Sequence, residues 1–390
     1  MSVAFLKDHS LSRIRAGHPW VYSADVLKIE KAPTDGSEIT VRAADGGYIG
    51  HGFYNSKSRI PIRILSRTKE PLEEPFFRKR LQAAIALRQG NTGVVPETCR
   101  LVWSEADFLP GLIVDRYGDQ LVIQTLTLAM DHQIKMIARL LLELVPVKGI
   151  LERNDSASRV FEGLPLRKGV IWGEVAERVT VPMGDIRMEI DLISGQKTGS
   201  YLDQIGHHRL MGALAKDRKV LDCFTYHGGF ALHAARAGAK AVEAVDISAD
   251  AIERCHRNAE INQLQGIQWK AANVFDDLNV RQRAGEKHDL VILDPPSFTK
   301  SRSRLEEALR GYKEIHLRAL MLLKPGGLLA TFCCSHHVDA ETFRAVALDA
   351  AFDVRVILRL RDTFHQPFDH PVIPAIPETE YLKGFLFEVV

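Results

Sequence analysis

Two short stretches of this sequence carry residue types that could act together in one reaction. Asp294-Pro295-Pro296-Ser297-Phe298 ends one apolar run, and Cys333-Cys334-Ser335 ends the next. In an α/β sheet, consecutive strand ends open onto one crevice, where ligands bind. A carboxylate, a rigid Pro-Pro corner and a thiol would then face the same small volume. This combination suits methylation of a nucleic-acid base at carbon.

Carbon 5 of a pyrimidine must be activated before it can accept a methyl group. A thiolate that adds at carbon 6 turns the ring into an enamine, and carbon 5 then becomes reactive. Because side chains alternate along a strand, only one of the two cysteines should point into the site. We assign the catalytic thiol to Cys334, at the mouth of the strand, and an inert, buried position to Cys333. Asp294, held by the two prolines, would hydrogen-bond the base.

Regular alternation of strands and helices from residue 219 onward predicts the sheet that positions these motifs. The final runs, Val354–Leu360 and Leu382–Val389, have no helix between them and predict an antiparallel pair at the sheet edge. We therefore predict an α/β fold with a doubly wound, mostly parallel, seven-stranded sheet. The five preceding strands are predicted, with a loop following the third, at Val220–Phe224, Ala241–Ile247, Ile267–Ala272, Asp289–Leu293 and Leu328–Cys333.

The first predicted strand leads into the turn Phe224-Thr225-Tyr226-His227-Gly228-Gly229. Two adjacent glycines let the backbone approach a ligand and begin a helix whose N-terminal amides face it. Asp246, at the end of the second strand, is placed to accept hydrogen bonds from ribose hydroxyls. Asn273 could bond an adenine edge or serve as a loop cap. Dehydrogenases share this geometry, but the GxGxxG fingerprint of dinucleotide binding is absent here. The glycine pair could also be no more than a tight turn.

The rest of the chain predicts two smaller domains. Residues 1–70 contain short β-like runs broken by turns, such as Glu38–Ala43 and Tyr48–Tyr54, and predict a small β-rich domain. Residues 71–190 predict a central α+β domain, and residues 191–390 form the predicted catalytic domain. We predict that four basic residues bind RNA phosphates: Arg59, Arg63, Arg302 and Arg304. Phosphate contacts of this kind position a nucleic acid without specifying its sequence.

Composition narrows the class of protein. With 390 residues, 46% of them hydrophobic and 26% charged, the chain is typical of a globular protein of two or three domains. No apolar run could span a bilayer, and residues 1–11 lack a secretory signal core, which predicts a cytoplasmic protein. The five cysteines are scattered without metal-ligand spacing, so we expect neither a disulfide framework nor a metal site. A net charge of +2 does not decide for or against a nucleic-acid partner.

With these residues in place, the chain resembles the bacterial large-subunit rRNA cytosine-5 methyltransferases that carry an N-terminal PUA domain. The resemblance covers essentially the whole length. It rests on four stretches besides the two motifs: His18-Pro19-Trp20-Val21-Tyr22, Gly50-His51-Gly52-Phe53-Tyr54-Asn55, the central Glu105–Tyr117, and Gln196–Gln204. These long strings are far more specific than the glycine turn.

The resemblance implies S-adenosylmethionine as methyl donor and a cytosine of 23S rRNA as substrate, with Cys334 as nucleophile and Asp294 beside it. Three departures distinguish this chain. It has Asn273 where the family usually has Asp, Gly206-His207-His208-Arg209 where the family continues to an Asn-Arg pair, and Cys333 as a second thiol. The expected cofactor-binding residues are Gln204, Asp222, Phe224, Tyr226, Gly228, Gly229, Asp246, Ile247, Asn273, Val274, Asp294 and Pro295.

Two other functions stay open at the level of sequence. Methylation of an exocyclic amine of adenine or guanine needs a Pro-Pro loop but no thiol, and enzymes of that kind favour an aromatic residue directly after the prolines. Ser297 holds that place here, with Phe298 adjacent. A non-catalytic RNA-binding or ribosome-assembly factor could also keep this fold. The sequence does not say which nucleotide is modified, whether free rRNA or an assembled subunit is used, or whether the protein is a homodimer.

Overall fold

The structure, a computed structural model, describes residues 2–299 and 301–390, and the side chain of Arg302 lies outside the described part. Its first sheet has six strands in the order β2-β6-β5-β4-β1-β3. Helix α1 (Asp8–Arg15) packs with the core of this sheet through Leu11 and Ile14. The strands are β1 (Ser2–Leu6), β2 (Trp20–Val21), β3 (Val26–Glu30), β4 (Glu38–Ala43), β5 (Tyr48–Tyr54) and β6 (Ile62–Ser66).

The second sheet has five strands in the order β11-β10-β9-β8-β7. Helices α2 (Glu74–Gln89) and α3 (Leu128–Leu144) share its apolar core, which includes Phe77 and Ile137. The strands are β7 (Thr98–Trp103), β8 (Leu112–Tyr117), β9 (Gln120–Thr125), β10 (Gly149–Asn154) and β11 (Arg167–Gly173). A two-stranded sheet, β12 (Arg178–Met183) with β13 (Ile186–Asp191), follows.

The third large sheet has seven strands in the order β16-β15-β14-β17-β18-β20-β19, and it confirms the predicted fold class. Strands β14 to β18 pair in parallel, whereas β20 pairs antiparallel with both β18 and β19. The strands are β14 (Lys219–Cys223), β15 (Ala241–Asp246), β16 (Ile267–Ala271), β17 (His288–Leu293), β18 (Leu323–Cys333), β19 (Leu358–His365) and β20 (Lys383–Val389). The helices are α4 (Ile205–Ala215), α5 (Gly229–Arg236), α6 (Ala249–Ile261), α7 (Val274–Arg283), α8 (Leu305–Leu322) and α9 (Ala340–Asp353).

Two predictions about this sheet were wrong. The predicted loop after the third strand contains helix α7, which Asn273 caps by accepting a hydrogen bond from the Phe275 amide at 2.9 Å. Acidic residues in its first turn and arginines in its last turn complement the helix dipole, a charge pattern that indicates a helix at this position in the sequence. The penultimate strand starts at Leu358 rather than Val354, because helix α9 continues to Asp353.

The described residues divide into two compact units. The first contains the chain up to Val181 together with Ile190–Leu202 and Phe368–Thr379, and the second contains Pro182–Glu189, Asp203–Pro367 and Glu380–Val390. The predicted domain boundary near residue 190 therefore leaves two segments of the predicted third domain in the first unit. Within that unit, Thr198 donates to Asp115, and Asp369 accepts from the Arg100 amide at 2.9 Å. No helix in the described ranges is both long and apolar enough to cross a membrane.

Candidate active site

The loop between β14 and α5 turns sharply at the carboxyl edge of the seven-stranded sheet. Phe224 and Tyr226 have φ angles of 64° and 51°, and Gly228 has a φ of 88° directly before α5. The turn is held at Tyr226, whose amide donates to Asp246 at 2.9 Å and whose carbonyl accepts from the Cys255 thiol at 3.2 Å. The loop therefore leads into the amides that begin α5, where a helix N-terminus can receive a polar ligand.

Asp246 ends strand β15 and presents the carboxylate expected for a nucleoside ligand. One carboxylate oxygen accepts from the Tyr226 amide, and the other accepts from the Ser248 amide at 3.0 Å. Each oxygen keeps a further lone pair, which can accept from a ribose hydroxyl. The next residue, Ile247, is 70% exposed and offers an apolar surface for a flat ring. These residues fit S-adenosylmethionine at its ribose and adenine.

Asp222 lies beneath the loop and is fully buried. One of its carboxylate oxygens accepts from the Thr225 hydroxyl and from the Ala231 amide, the latter at 3.1 Å. Its other oxygen has no hydrogen-bond partner among the described residues. Burial raises the pKa of Asp222 to about 7, because the charged form is poorly solvated there. With no exposed surface, this side chain holds the loop and the start of α5 rather than facing a ligand.

The Asp294 carboxylate stands at the end of β17, the central strand beside β14. Gln204, directly before α4, donates its side-chain amide to Asp294 Oδ2 at 3.0 Å. In the loop that follows, Pro295 is buried, and the Ser297 hydroxyl donates to the Thr299 carbonyl at 2.6 Å. Phe298 packs against the Tyr312 ring with 4.6 Å between ring centroids. The loop is therefore anchored on both sides of the carboxylate.

The two cysteines at the end of β18 have different surroundings. Cys333 is fully buried and donates its thiol to the Tyr312 hydroxyl at 3.4 Å, while Cys334 is partly exposed. Burial raises the pKa of Cys333, so this thiol stays protonated and inert. Strands β17 and β18 are neighbours in the sheet, so Asp294 and Cys334 follow adjacent strand ends. The structure thus brings the two motifs together at one edge.

Lys383 is a charged residue of this site that the sequence did not reveal. It lies opposite Cys333 on the antiparallel strand β20, and its ammonium donates to the Ser335 carbonyl at 2.6 Å. The side chain is buried, which lowers the pKa of Lys383, while electrostatic attraction to Cys334, Glu380 and Asp339 acts in the opposite direction. A cation beside a thiol stabilises the thiolate. Sequence reasoning missed it because pairing between β18 and β20 is not visible in local pattern.

Comparison with known proteins now places the chain in a family. Residues 151–376 match the family model described as S-adenosylmethionine-dependent methyltransferase, and residues 5–67 match the PUA-like domain. Over 388 residues, the chain is 37% identical to the ribosomal RNA large subunit methyltransferase I of Vibrio cholerae, covering 97% of this chain and 96% of that protein. The chain belongs to this methyltransferase family.

Other relatives agree with this assignment. The ribosomal RNA large subunit methyltransferase I of Shewanella amazonensis is 38% identical over 382 residues, which cover 95% of each chain. Among solved structures, a Streptococcus mutans protein described as a SAM-dependent methyltransferase matches all of both chains with a TM-score of 0.84 and 20% identity. A methyltransferase solved with S-adenosylhomocysteine matches with a TM-score of 0.86, also at 20% identity and over all of both chains. At that identity the solved structures support the fold alone.

This family member is therefore an S-adenosylmethionine-dependent methyltransferase with an N-terminal PUA-like domain, as the sequence predicted. Its Asn273 uses one lone pair of its side-chain oxygen to cap α7, which leaves the second lone pair and the amide NH₂ to meet an adenine edge. The next residue, Val274, begins α7 and is buried. The predicted contacts of individual residues with the cofactor stay predictions.

The four arginines selected for RNA lie in different settings. Both terminal nitrogens of Arg63 donate to the buried Glu162 carboxylate, at 3.2 and 2.8 Å, so Arg63 ties β6 to the 157–162 turn instead of standing ready for a phosphate. Arg59 lies over the Phe161 ring, 5.7 Å from its centroid. Arg304 is exposed and pairs with Glu307. The Arg302 side chain falls outside the described residues.

One group of side chains in the described ranges has the spacing of metal ligands. It consists of Glu243, Glu286 and the buried His288. Arg281 already pairs with both carboxylates, and Lys219 lies 3.1 Å from Glu243. Two cations therefore balance the charge of this cluster without a metal ion.

Proposed function

We propose that this protein methylates carbon 5 of a cytosine in large-subunit ribosomal RNA, with Cys334 as the nucleophile. The names of its full-length relatives support the RNA class. The observation that carries the chemistry is the contrast between the two thiols. Cys333 is sealed against Tyr312, whereas Cys334 is partly exposed at a strand end adjacent to that of Asp294.

The reaction begins with the target cytosine turned out of its stack, because a base within a stack cannot offer its ring edge to a recessed thiol. Cys334 Sγ adds to carbon 6, and the electron pair of the 5,6 double bond makes carbon 5 nucleophilic. Asp294 accepts a hydrogen bond from the exocyclic amine and holds the ring in register. When bound, S-adenosylmethionine would supply an electrophilic methyl group to carbon 5, with S-adenosylhomocysteine as the leaving group. Loss of the carbon 5 proton then expels the Cys334 thiolate.

Lys383 assists both the formation and the breakdown of the covalent adduct. Its ammonium favours the attacking thiolate and later favours the same thiolate as leaving group, because the anion forms in both cases. Some RNA cytosine methyltransferases use a second cysteine in the Pro-Pro loop for release. In this chain that position is Ser297, whose hydroxyl is engaged with the Thr299 carbonyl. Release therefore relies on a different base or on water.

Methylation of an exocyclic amine has less support. That reaction benefits from an aromatic ring that stacks on the target base, and the nearest candidate is Phe298. Its ring already packs against Tyr312, Phe275 and Phe224, at centroid distances of 4.6, 5.9 and 6.5 Å. A ring engaged in the core in this way offers little face to a substrate.

The test is to identify the modified nucleoside. The purified enzyme is incubated with S-adenosylmethionine and an unmodified transcript of large-subunit rRNA, and the digested product is analysed by mass spectrometry and bisulfite sequencing. We expect 5-methylcytidine at one position. Methylated adenosine or guanosine in its place would establish amine methylation, and failure to bind S-adenosylhomocysteine in calorimetry would indicate a non-catalytic role.

A fluorinated substrate tests the covalent adduct separately. Elimination of the thiolate needs loss of a proton from carbon 5, and fluorine at that position cannot leave as F⁺. An RNA containing 5-fluorocytidine should therefore trap the methylated enzyme adduct as a complex that survives denaturation. The Cys334→Ala variant should form no such complex, whereas the Cys333→Ser variant should form it as the wild type does. A trapped complex with Cys334→Ala would show that another nucleophile attacks carbon 6.

A further inference from the structure

The departure from the family pattern at residues 206–209 leads to a hydrogen-bonded chain that ends at the proposed active site. His207 Nδ1 lies 2.6 Å from Gln204 Oε1, and Gln204 Nε2 lies 3.0 Å from Asp294 Oδ2. All three side chains are in the second unit, and Gln204 is 4% exposed. We infer that His207 is a positioning residue for methyl transfer, acting through Gln204 to fix the Asp294 carboxylate. This inference rests on the proposed role of Asp294.

The direction of each hydrogen bond follows from the acceptor at the end of the chain. A carboxylate only accepts, so the amide nitrogen of Gln204 must face Asp294 and its amide oxygen must face His207. His207 Nδ1 must then carry the proton that it donates to Gln204. Donation from His207 Nδ1 therefore stabilises the same Gln204 amide orientation that Asp294 requires.

The His207 ring is held in place by its neighbours. Its centroid lies 5.2 Å from that of Phe332 on β18 and 5.1 Å from that of Phe364 on β19. Burial lowers the pKa of His207 to about 4, although the Asp203 and Asp362 carboxylates and a backbone hydrogen bond with His365 act in the opposite direction. The ring is therefore neutral at physiological pH and has one proton, which the bond to Gln204 assigns to Nδ1. A clamped, neutral imidazole is a rigid donor, and a rigid donor restricts the amide between it and Asp294.

Rotation of the Gln204 amide would present an oxygen to the Asp294 carboxylate. Two acceptors then face each other, and the carboxylate must turn away from the orientation in which it meets the base. Because reaction rates depend steeply on the placement of catalytic groups, this loss should lower kcat more than it weakens binding of the methyl donor.

The matched substitution is His207→Phe, which keeps an aromatic ring between Phe332 and Phe364 but removes the donor. Methyl transfer is followed as tritium moving from labelled S-adenosylmethionine into the rRNA transcript, and His132→Phe, on the exposed surface of α3, is the control. We expect kcat to fall about 5- to 20-fold, the effect of one lost positioning hydrogen bond, with KM for S-adenosylmethionine changed less than about twofold. The Kd of S-adenosylhomocysteine, measured by calorimetry, should be unchanged.

A double-mutant cycle decides whether His207 acts through Gln204. His207→Phe should cost nothing further in a Gln204→Leu background. Multiplicative losses, or a wild-type kcat for His207→Phe, would overturn the inference.

If His207→Phe lowers the melting temperature, the second comparison is between His207→Asn and His207→Ala. The asparagine amide can donate a hydrogen bond to Gln204, whereas alanine cannot. Asparagine should retain more kcat than alanine, and equal values would again overturn the inference. The cycle uses total methyl transfer, so it is independent of which nucleoside is modified. A wild-type enzyme that transfers methyl groups but makes no 5-methylcytidine refutes the proposed function alone.

Discussion

The two adjacent cysteines should separate stability from catalysis when each is replaced in turn. Cys333→Ala removes a fully buried thiol from the core and takes one hydrogen-bond partner from the Tyr312 hydroxyl. We expect the free energy of unfolding to fall by about 2–3 kcal/mol, from lost packing and the weakened hydroxyl. Catalysis should persist, because Cys333 does not face the base. Cys333→Ser keeps a donor for Tyr312 and should cost only about 1 kcal/mol.

Cys334→Ala should show the reverse behaviour. The side chain is partly exposed, so its loss should change stability by less than about 1 kcal/mol. Because no other thiol can form the adduct at carbon 6, kcat should drop by at least about 10³-fold. Binding of S-adenosylhomocysteine should stay at the wild-type level.

The assay pairs thermal unfolding with formation of 5-methylcytidine at 25 °C. For a unit of this size, the destabilisation of Cys333→Ala corresponds to a fall in Tm of about 5–10 °C. An active Cys334→Ala together with a folded but inactive Cys333→Ala would show that the nucleophile was assigned to the wrong thiol. If both variants stay active, methylation does not proceed through a cysteine adduct.

Three further predictions concern charged groups around the cofactor and the thiols. Lys383→Met should lower kcat about tenfold and move the rise of its pH profile to higher pH, because the thiolate loses its neighbouring cation. Asp246→Ala should weaken S-adenosylhomocysteine binding about 30-fold or more in calorimetry, since the ribose acceptor and the anchor of the Tyr226 amide are both lost. Burial raises the pKa of Asp222 to about 7, whereas it is about 3.9 in the unfolded chain. Between these two pH values the folded state binds more protons than the unfolded state. The free energy of unfolding should therefore decrease as the pH rises from about 4 to about 7. Asp222→Asn should remove this dependence and leave the enzyme more stable at pH 8 by on the order of 2 kcal/mol, measured by urea unfolding at pH 5 and pH 8; an unchanged pH dependence would contradict the assignment.

Local pattern in the sequence was sufficient for much of the fold. Short β-like runs bounded by turn residues predicted β4 and β5 with the bounds that the structure shows, Glu38–Ala43 and Tyr48–Tyr54. The βα alternation predicted a mostly parallel sheet, and in such a sheet the carboxyl ends of neighbouring strands meet at one edge. For that reason the sequence alone predicts that Asp294 and Cys334 share one site.

Contacts between distant parts of the chain required the tertiary structure. The sequence shows neither that β20 lies between β18 and β19 nor that this order sets Lys383 opposite Cys333. It also could not show that Arg63, a predicted RNA phosphate contact, forms an ion pair with Glu162.

The division between the two sources has a physical basis. Helix and strand periods are set by each residue and its near neighbours, so the sequence by itself determined the elements and the strand-end motifs of this methyltransferase. The choice of partner for a buried charge or a thiol depends on which surfaces pack together once those elements assemble. Only the tertiary structure therefore decided that Cys333 is sealed against Tyr312 and that His207 reaches Asp294 through Gln204.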